Sequence, residues 1–378
     1  MVCRALGLGK VRCNNTHLMI KGDNVQAELF FAIPGDLESR TGGYAYDRRL
    51  LHEFAALGLR TIVIPLAASY PYPDEAALVD TERRFSQLPD GSIVLVDGLA
   101  FGAMPECARK HAQRLQFIAL CHHPLALETG LSPEQKEMFI QSETVALRCS
   151  QAIVVTSPAT ALTLQSLFAI DAASIAIALP GSDPVPFAPC DGQPPVLLTA
   201  ATLTQRKGHD LLIDALASIA HLPWQARLVG AQHYDPEWSD ALKLKVQSAG
   251  LSDRILFLGA LADLEPEYQQ ADLFVLPSHY EGYGMVFAEA IAHGLPVVAT
   301  RCGAAEDLVP STAGRLVPVG DCVALSAALS DLLQDLDLRT QLQQGARDAS
   351  QRLPRWQSSA HIIYQLVQTI AQKERTNP

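Results

Sequence analysis

A run of four to seven apolar residues followed by a longer stretch of helical period recurs along this chain, and no other feature restricts its fold as strongly. ELFFAIP precedes a helical pattern over 44–58, TIVIPL one over roughly 74–87, SIVLVD one over 102–114, LQFIALC one over 133–149, and AIVVTS one over 158–167. Short, uniformly apolar runs suit strands buried on both faces, and the helices between them supply the crossovers that parallel strands require. The alternation breaks at LPGSDPVPFAPCDGQPPV, 179–196, whose six prolines and two glycines exclude a helix and a central strand. It resumes with VLLTAAT, a helix at 207–220, QARLVG, a helix at 236–249, RILFLG, a short helix at 263–270, LFVLPS, a helix from about 285, and PVVAT. Residues 321–372 are helical in pattern throughout, opening on Asp321 as an N-cap.

The expected fold class is α/β: two Rossmann-like, doubly wound domains at 28–180 and 196–355, joined by a linker at 181–195 and followed by a helix and tail at 356–378. Residues 1–27 show no period and fit neither half, so a poorly ordered N-terminal extension is expected there. A chain of 378 residues is natural for two domains, and 48% hydrophobic with 18% charged residues is the balance of an ordinary globular protein.

No run of 18 apolar residues occurs and the first 20 lack an apolar signal core, which points to a soluble, unexported chain. The eight cysteines are scattered, with no C-x-x-C pair and no zinc-like spacing, so free thiols in a reducing cytoplasm are expected. A net charge of −11 disfavours a nucleic-acid partner and leaves no polybasic segment for anionic lipid, so membrane association is expected to be transient at most.

The strongest local signal is SHYEGYGMVFAEAIAHGLPVVAT, 278–300. Ligands of parallel sheets sit at the carboxyl ends of strands, which is where LFVLPS delivers the chain. Glu281 falls in the turn, Gly282 and Gly284 permit close backbone approach, and Met285, Val286 and Phe287 open a helix whose free N–H groups can receive phosphate oxygens. Glu289 lies about one turn further on, on the side that returns to the crevice. Carboxylates accept hydrogen bonds from hydroxyls, so two of them around an anion-receiving helix start describe a nucleotide sugar. A turn glutamate and a helix-surface glutamate facing solvent have the same sequence signature.

Four further stretches fall at strand ends. In TAATLTQRKGHD, Arg206 and Lys207 stand where the next helix starts; they oppose its dipole, and a bound diphosphate offsets that cost. In PGDLESRTGGYAYDRRL, Gly42 and Gly43 suit either close approach to a ligand or a plain tight turn. ALCHHPLA places His122 and His123 at the ligand edge, as sugar-facing groups or as surface histidines. Glu306 follows a turn at Gly303 and is either a contact on the nucleotide side or part of a plain βα turn. Asp335-Leu336-Asp337 imitates a metal-binding D-x-D but lies between two helical stretches, far from any strand end, and no phosphate-cradling G-x-x-x-x-G-K-[ST] occurs.

Together, Arg206-Lys207-Gly208, FVLPSHYEGYGMVFAEA, GLPVVAT and AGRLVPVGD resemble glycosyltransferase family 4, retaining enzymes with the GT-B fold. The likeness is specific over about 195–325 and looser in the first half, where RTGGYAY, CHHP and AIVVTSP carry it. The resemblance implies an acceptor-binding first domain, a nucleotide-sugar-binding second domain and a last helix that crosses back to the first. It implies that Arg206 and Lys207 hold the donor diphosphate, that Glu281 faces the transferred sugar and that Glu289 binds the ribose. Backbone of Gly284, Met285 and Val286 would meet sugar and phosphates, His122 would lie near the donor sugar, and Gly42 and Gly43 would form the N-terminal glycine loop. His123 beside His122 leaves the register of that position open, and Ala304 stands where the family often has a second glycine.

The function this implies is transfer of a sugar, with retention, from a nucleotide-sugar donor to a hydroxyl of a glycan, lipid-linked or small-molecule acceptor, with no cofactor and no metal. Rival readings are a GT-B epimerase or phosphorylase and a non-catalytic sugar-nucleotide-binding protein. A dehydrogenase is weakened by the lack of a G-x-G-x-x-G opening a βαβ unit.

Overall fold

The computed structural model describes residues 28–376, so the extension expected at 1–27 lies outside the described residues. The first sheet holds β1 (Glu28–Pro34), β2 (Arg60–Leu66), β3 (Ile93–Asp97), β4 (Gln116–Cys121), β5 (Ala152–Val155) and β6 (Ile175–Ile177), in the order β2-β1-β3-β4-β5-β6. The second holds β7 (Val196–Ala200), β8 (Gln225–Val229), β9 (Ile255–Gly259), β10 (Leu273–Leu276), β11 (Val297–Thr300) and β12 (Gly314–Val317), in the order β12-β11-β10-β7-β8-β9. Every strand pair is parallel.

Crossovers in the first half run through α1 (Gly42–Ala56), α2 (Glu75–Ser86), α3 (Gly98–Phe101), α4 (Pro105–His111), α5 (Pro133–Arg148) and α6 (Pro158–Leu167). The second half uses α7 (His209–Ser218), α8 (Pro236–Ser248), α9 (Glu265–Gln269), α10 (Met285–Ala292) and α11 (Ala305–Leu308), then α12 (Cys322–Gln334), α13 (Leu336–Ser350) and α14 (Trp356–Thr376). The helical pattern over 102–114 is shorter in the structure, where α4 covers Pro105–His111. Pro105, at the first position of α4, disfavours helical backbone at Met104, so α3 and α4 are separate.

Each sheet is buried on both faces because successive side chains along a strand point to opposite sides. Phe30 and Ala32 enter one core, while Leu29, Phe31 and Ile33 enter the other. Leu197 and Leu198 divide the same way in the second sheet.

The proline-rich segment between β6 and β7 is fastened rather than loose. Asp272 accepts from the backbone N–H of Gly192 at 3.0 Å and of Val196 at 2.7 Å, and Ser182 N–H donates to the Pro354 carbonyl at 2.8 Å. A Cβ on Gly181 would lie 2.2 Å from the Trp356 nitrogen, so glycine is what lets this segment pass the start of α14. Trp356, Ala360, Ile363, Val367 and Ile370 form one stripe of α14, packed with Tyr46, Leu50 and Phe54 of α1 in the core of the first sheet. The last helix thus returns to the first domain. Among the described residues, no helix is long and apolar enough to cross a membrane.

Candidate active site

In an open α/β sheet the crevice for a ligand forms where the strand order reverses, between strands whose connections leave in opposite directions. That point lies between β1 and β3 in the first sheet and between β7 and β10 in the second. The segments leaving these four strands carry Gly42 and Gly43, Asp97, Arg206 and Lys207, and Glu281. All of them line one cavity of about 1050 Å³ between the domains, together with His122, His123, Gly284, Met285, Val286 and Glu289.

On the second-domain wall, Gln205–Lys207 form a single 3-10 turn ended by Gly208 at φ 66°. A Cβ there would lie 2.2 Å from the Pro277 carbonyl oxygen, so glycine allows the loop after β7 to rest on the end of β10. Lys207 Nζ then reaches Glu281 Oε1 at 2.7 Å, and Ser278 Oγ donates to the same oxygen at 2.6 Å. Burial pushes the Glu281 carboxyl up, but Lys207, Arg206 and the Ser278 hydroxyl outweigh it and hold the group below its ordinary range. Burial also pulls the Lys207 ammonium down, so each charge depends on the other. Arg206 donates to the Tyr280 carbonyl at 2.8 Å and crosses the cleft to Glu128 Oε1 at 3.1 Å.

The turn after Glu281 needs its glycines. A Cβ on Gly282 would meet the His122 carbonyl oxygen at 2.3 Å. Gly284 is the N-cap of α10 at φ 84°, with no side-chain cap and no acidic residue in the first turn. An uncapped helix start at a cavity wall is a receptor for anionic oxygens. Gly303 carries the same constraint from behind: a Cβ would sit 1.8 Å from the Glu281 carbonyl oxygen, to which Ala304 N–H donates at 3.2 Å. Of the two readings of Glu306, the contact on the nucleotide side is the one the structure corrects, leaving the plain βα turn. Glu306 pairs with Arg301 at 3.6 Å and does not line the cavity.

Glu289 accepts a hydrogen bond from the Tyr268 hydroxyl at 2.8 Å, and burial raises its carboxyl above the ordinary value. Tyr268 stacks on His293 at 4.6 Å and 13°, and His293 bridges the Glu289 carbonyl (2.7 Å) and Glu265 Oε2 (2.9 Å). Tyr268, His293 and Glu265 also line the cavity, and no motif in the sequence marked them.

On the first-domain wall, Thr41 is an extended N-cap of α1 whose side chain makes no capping bond. A Cβ on Gly42 would lie 3.9 Å from Met285 Sδ, and one on Gly43 would lie 3.6 Å from the His122 ring, so α1 starts in contact distance of α10's first residue. His122 turns its Nε2 toward this domain, 3.3 Å from Asp47 Oδ1 and 3.4 Å from Asp97 Oδ2. His123 turns the other way, against the Tyr280 ring at 4.9 Å, with Nε2 3.6 Å from Glu128 Oε2. Burial, helped by Arg206, lowers His123 to about 4 and keeps it neutral. Asp335 lies outside the cavity, where its side chain caps α13 by accepting from Leu338 N–H at 2.9 Å.

Residues 194–335 match the family model described as glycosyl transferases group 1. A lipopolysaccharide core biosynthesis mannosyltransferase of Rhizobium leguminosarum bv. viciae is 39% identical over 136 residues, 34% of this chain and 38% of that protein. A D-inositol 3-phosphate glycosyltransferase of Xylanimonas cellulosilytica is 33% identical over 259 residues, 62% of this chain and 60% of that one. The chain thus spans less than two thirds of these curated relatives. Among solved structures, the sucrose-phosphate synthase of Thermosynechococcus elongatus superposes with a TM-score of 0.77 at 22% identity, covering 92% of this chain and all of that one, which shows the fold. Over 194–335 the chain is thus similar to the glycosyl transferases group 1, and its architecture is the GT-B fold.

Proposed function

We propose that this protein is a retaining glycosyltransferase that moves a sugar from a nucleotide-sugar donor to an acceptor hydroxyl. The observation that carries this reading is the wall on which Arg206, Lys207 and the uncapped start of α10 share one cavity with Glu281 and Glu289. Two cations and a helix start suit a diphosphate, and the two carboxylates suit hydroxyl groups on either side of it.

Chemically, the sugar–phosphate bond breaks toward an oxocarbenium-like carbon, and negative charge builds on the departing diphosphate. Arg206, Lys207 and the N–H groups of Met285 and Val286 would take that charge without a metal ion. Glu281 would bind sugar hydroxyls and Glu289 those of the ribose. His122, with Gly42 and Gly43 beside it, would close the donor from the first domain. The proton of the acceptor hydroxyl passes to the leaving phosphate on the same face, which gives retention and leaves Glu281 without a nucleophilic role.

The names of the relatives, which concern lipopolysaccharide core and inositol phosphate, support a glycan, lipid-linked or small-molecule acceptor. Free thiols at Cys107, Cys121, Cys149, Cys190, Cys302 and Cys322 support a cytoplasmic setting. A thermal-shift screen of UDP-, GDP- and ADP-sugars tests the reading. A ligand at 100 times its dissociation constant adds about 2.7 kcal/mol of stability, whereas a flat response to all three classes contradicts it.

A further inference from the structure

Asp47 and Asp97 are 0% and 2% exposed, and both aim a carboxylate oxygen at the same nitrogen, Nε2 of His122. Two carboxylates this deep in a protein need a positive partner, since an unpaired buried charge is costly. The groups around the imidazole narrow the choice. From α1 come Asp47 and the Tyr46 ring, edge-on at 5.1 Å, and from the end of β3 comes Asp97. Thr156 donates to the His122 carbonyl at 3.4 Å, and the second domain meets that carbonyl with the Gly282 backbone. Asp97 is anchored by its other oxygen, which accepts from Leu99 N–H at 2.8 Å, whereas Oδ2 of Asp47 has no hydrogen-bond partner among the described residues.

We propose that Asp47 and Asp97 are positioning residues that hold His122 as a fixed imidazolium with Nδ1–H toward the cleft, adding a first-domain cation to the site that Arg206 and Lys207 form on the other wall. The inference rests on the nucleotide-sugar reading for its purpose and on the geometry alone for the charge. A forked acceptor pair on Nε2 orients the ring and leaves Nδ1 as the nitrogen for a ligand; 20% of the side chain is exposed, and the ring lines the cavity.

The placement also explains why two carboxylates are used. His122 stands beside Gly43 in the first turn of α1, where the helix dipole disfavours a cation, and the paired acids offset that field. Burial opposes the imidazolium, but the bonds to Asp47 and Asp97 outweigh it and raise His122 to about 10. Burial raises Asp47 itself to about 7, so His122 keeps its proton across the range in which Asp47 gains or loses one.

The test is a histidine imidazole NMR titration of the full chain from pH 5.5 to 11, with the His122 signal assigned by its loss in His122→Gln. The expected result is an imidazolium signal through at least pH 8.5 and, in Asp47→Asn, a midpoint lowered tenfold or more in proton affinity. Asp97→Asn, titrated the same way, serves if Asp47→Asn does not fold. A neutral His122 at pH 7.5, or an unchanged midpoint in the variants, overturns the proposal. So does a His122 signal that moves on adding EDTA with about one equivalent of released metal, since the trio would then be a cation site. Release of nucleoside diphosphate from UDP-glucose and GDP-mannose, followed against pH, reads the role separately. The alkaline limb of that profile should fall in Asp47→Asn by the same amount as the midpoint. If neither these two nor any other UDP-, GDP- or ADP-sugar turns over, the donor reading is what fails, and the titration still decides the charge.

Discussion

Lys207 Nζ and Glu281 Oε1 lie 2.7 Å apart, joining the loop after β7 to the turn after β10 across the point where the strand order reverses. Both side chains are largely withdrawn from solvent. Removing the Glu281 carboxylate leaves a buried ammonium uncompensated, at a cost on the order of 3–5 kcal/mol, whereas removing Lys207 costs less because Arg206 stays 3.8 Å from Glu281 Oε2. Lys207→Met and Glu281→Gln should therefore each lower the urea midpoint, while the double variant recovers much of the loss. Turnover should not recover: each single variant and the double variant fall tenfold or more, about 1.4 kcal/mol in barrier. A double variant that regains both stability and turnover would make the pair structural only.

Glu289 is held by the Tyr268 hydroxyl at 2.8 Å and has no bond to Lys207 or Arg206 among the described residues. Glu289→Gln should raise the donor KM about tenfold, ~1.4 kcal/mol of binding, with kcat much less affected. Tyr268→Phe should move in the same direction by roughly 1 kcal/mol, the worth of one hydrogen bond. Steady-state kinetics with the donor identified by the thermal screen separates the two parameters.

Glu143 ties α5 to the loop that carries Leu125 and Glu128 to the cleft, accepting from Leu125 N–H at 2.8 Å and Ala126 N–H at 3.0 Å. Burial outweighs those bonds and raises its carboxyl from 4.5 to about 7. The folded chain therefore favours the protonated form. The resulting stability is fully present below about pH 4.5 and is lost as pH rises through about 7. Relative to Glu143→Gln, the wild type should lose up to about 3 kcal/mol between those limits. Urea unfolding of both proteins at pH 5 and pH 8 measures the difference.

Ile363 is fully buried on the α14 stripe against α1. Ile363→Ala should cost about 2–5 kcal/mol through lost burial and the cavity left behind. Because this packing belongs to the first sheet, fluorescence from Trp356 should report the earlier unfolding, ahead of probes in the second domain.

Much of the architecture was legible from period alone, because strands buried on both faces are uninterrupted apolar runs. ELFFAIP is β1 residue for residue, and the helical stretch 158–167 is α6. The edge strands β6, IAI, and β12, GRLV, escaped notice: three or four residues are too few to carry a detectable period. At the cleft, Arg206, Lys207, Glu281 and Glu289 stand on glycine-bearing turns that a reader of the sequence can find. Asp47, Asp97 and His122 come from α1, β3 and the end of β4, with nothing in their spacing to join them. Tyr268 was hidden in the same way, since its partner Glu289 is on a different helix.

The most direct test of the whole account is nucleoside diphosphate release from a panel of UDP-, GDP- and ADP-sugars, measured for the wild type, Lys207→Met and Glu289→Gln. One donor class should be turned over by the wild type, with Lys207→Met at least tenfold slower at saturating donor and Glu289→Gln impaired mainly at low donor, about 1.4 kcal/mol in each case. Release from none of the sugars, or release by Lys207→Met at the wild-type rate, would contradict the assignment of this cleft to sugar transfer.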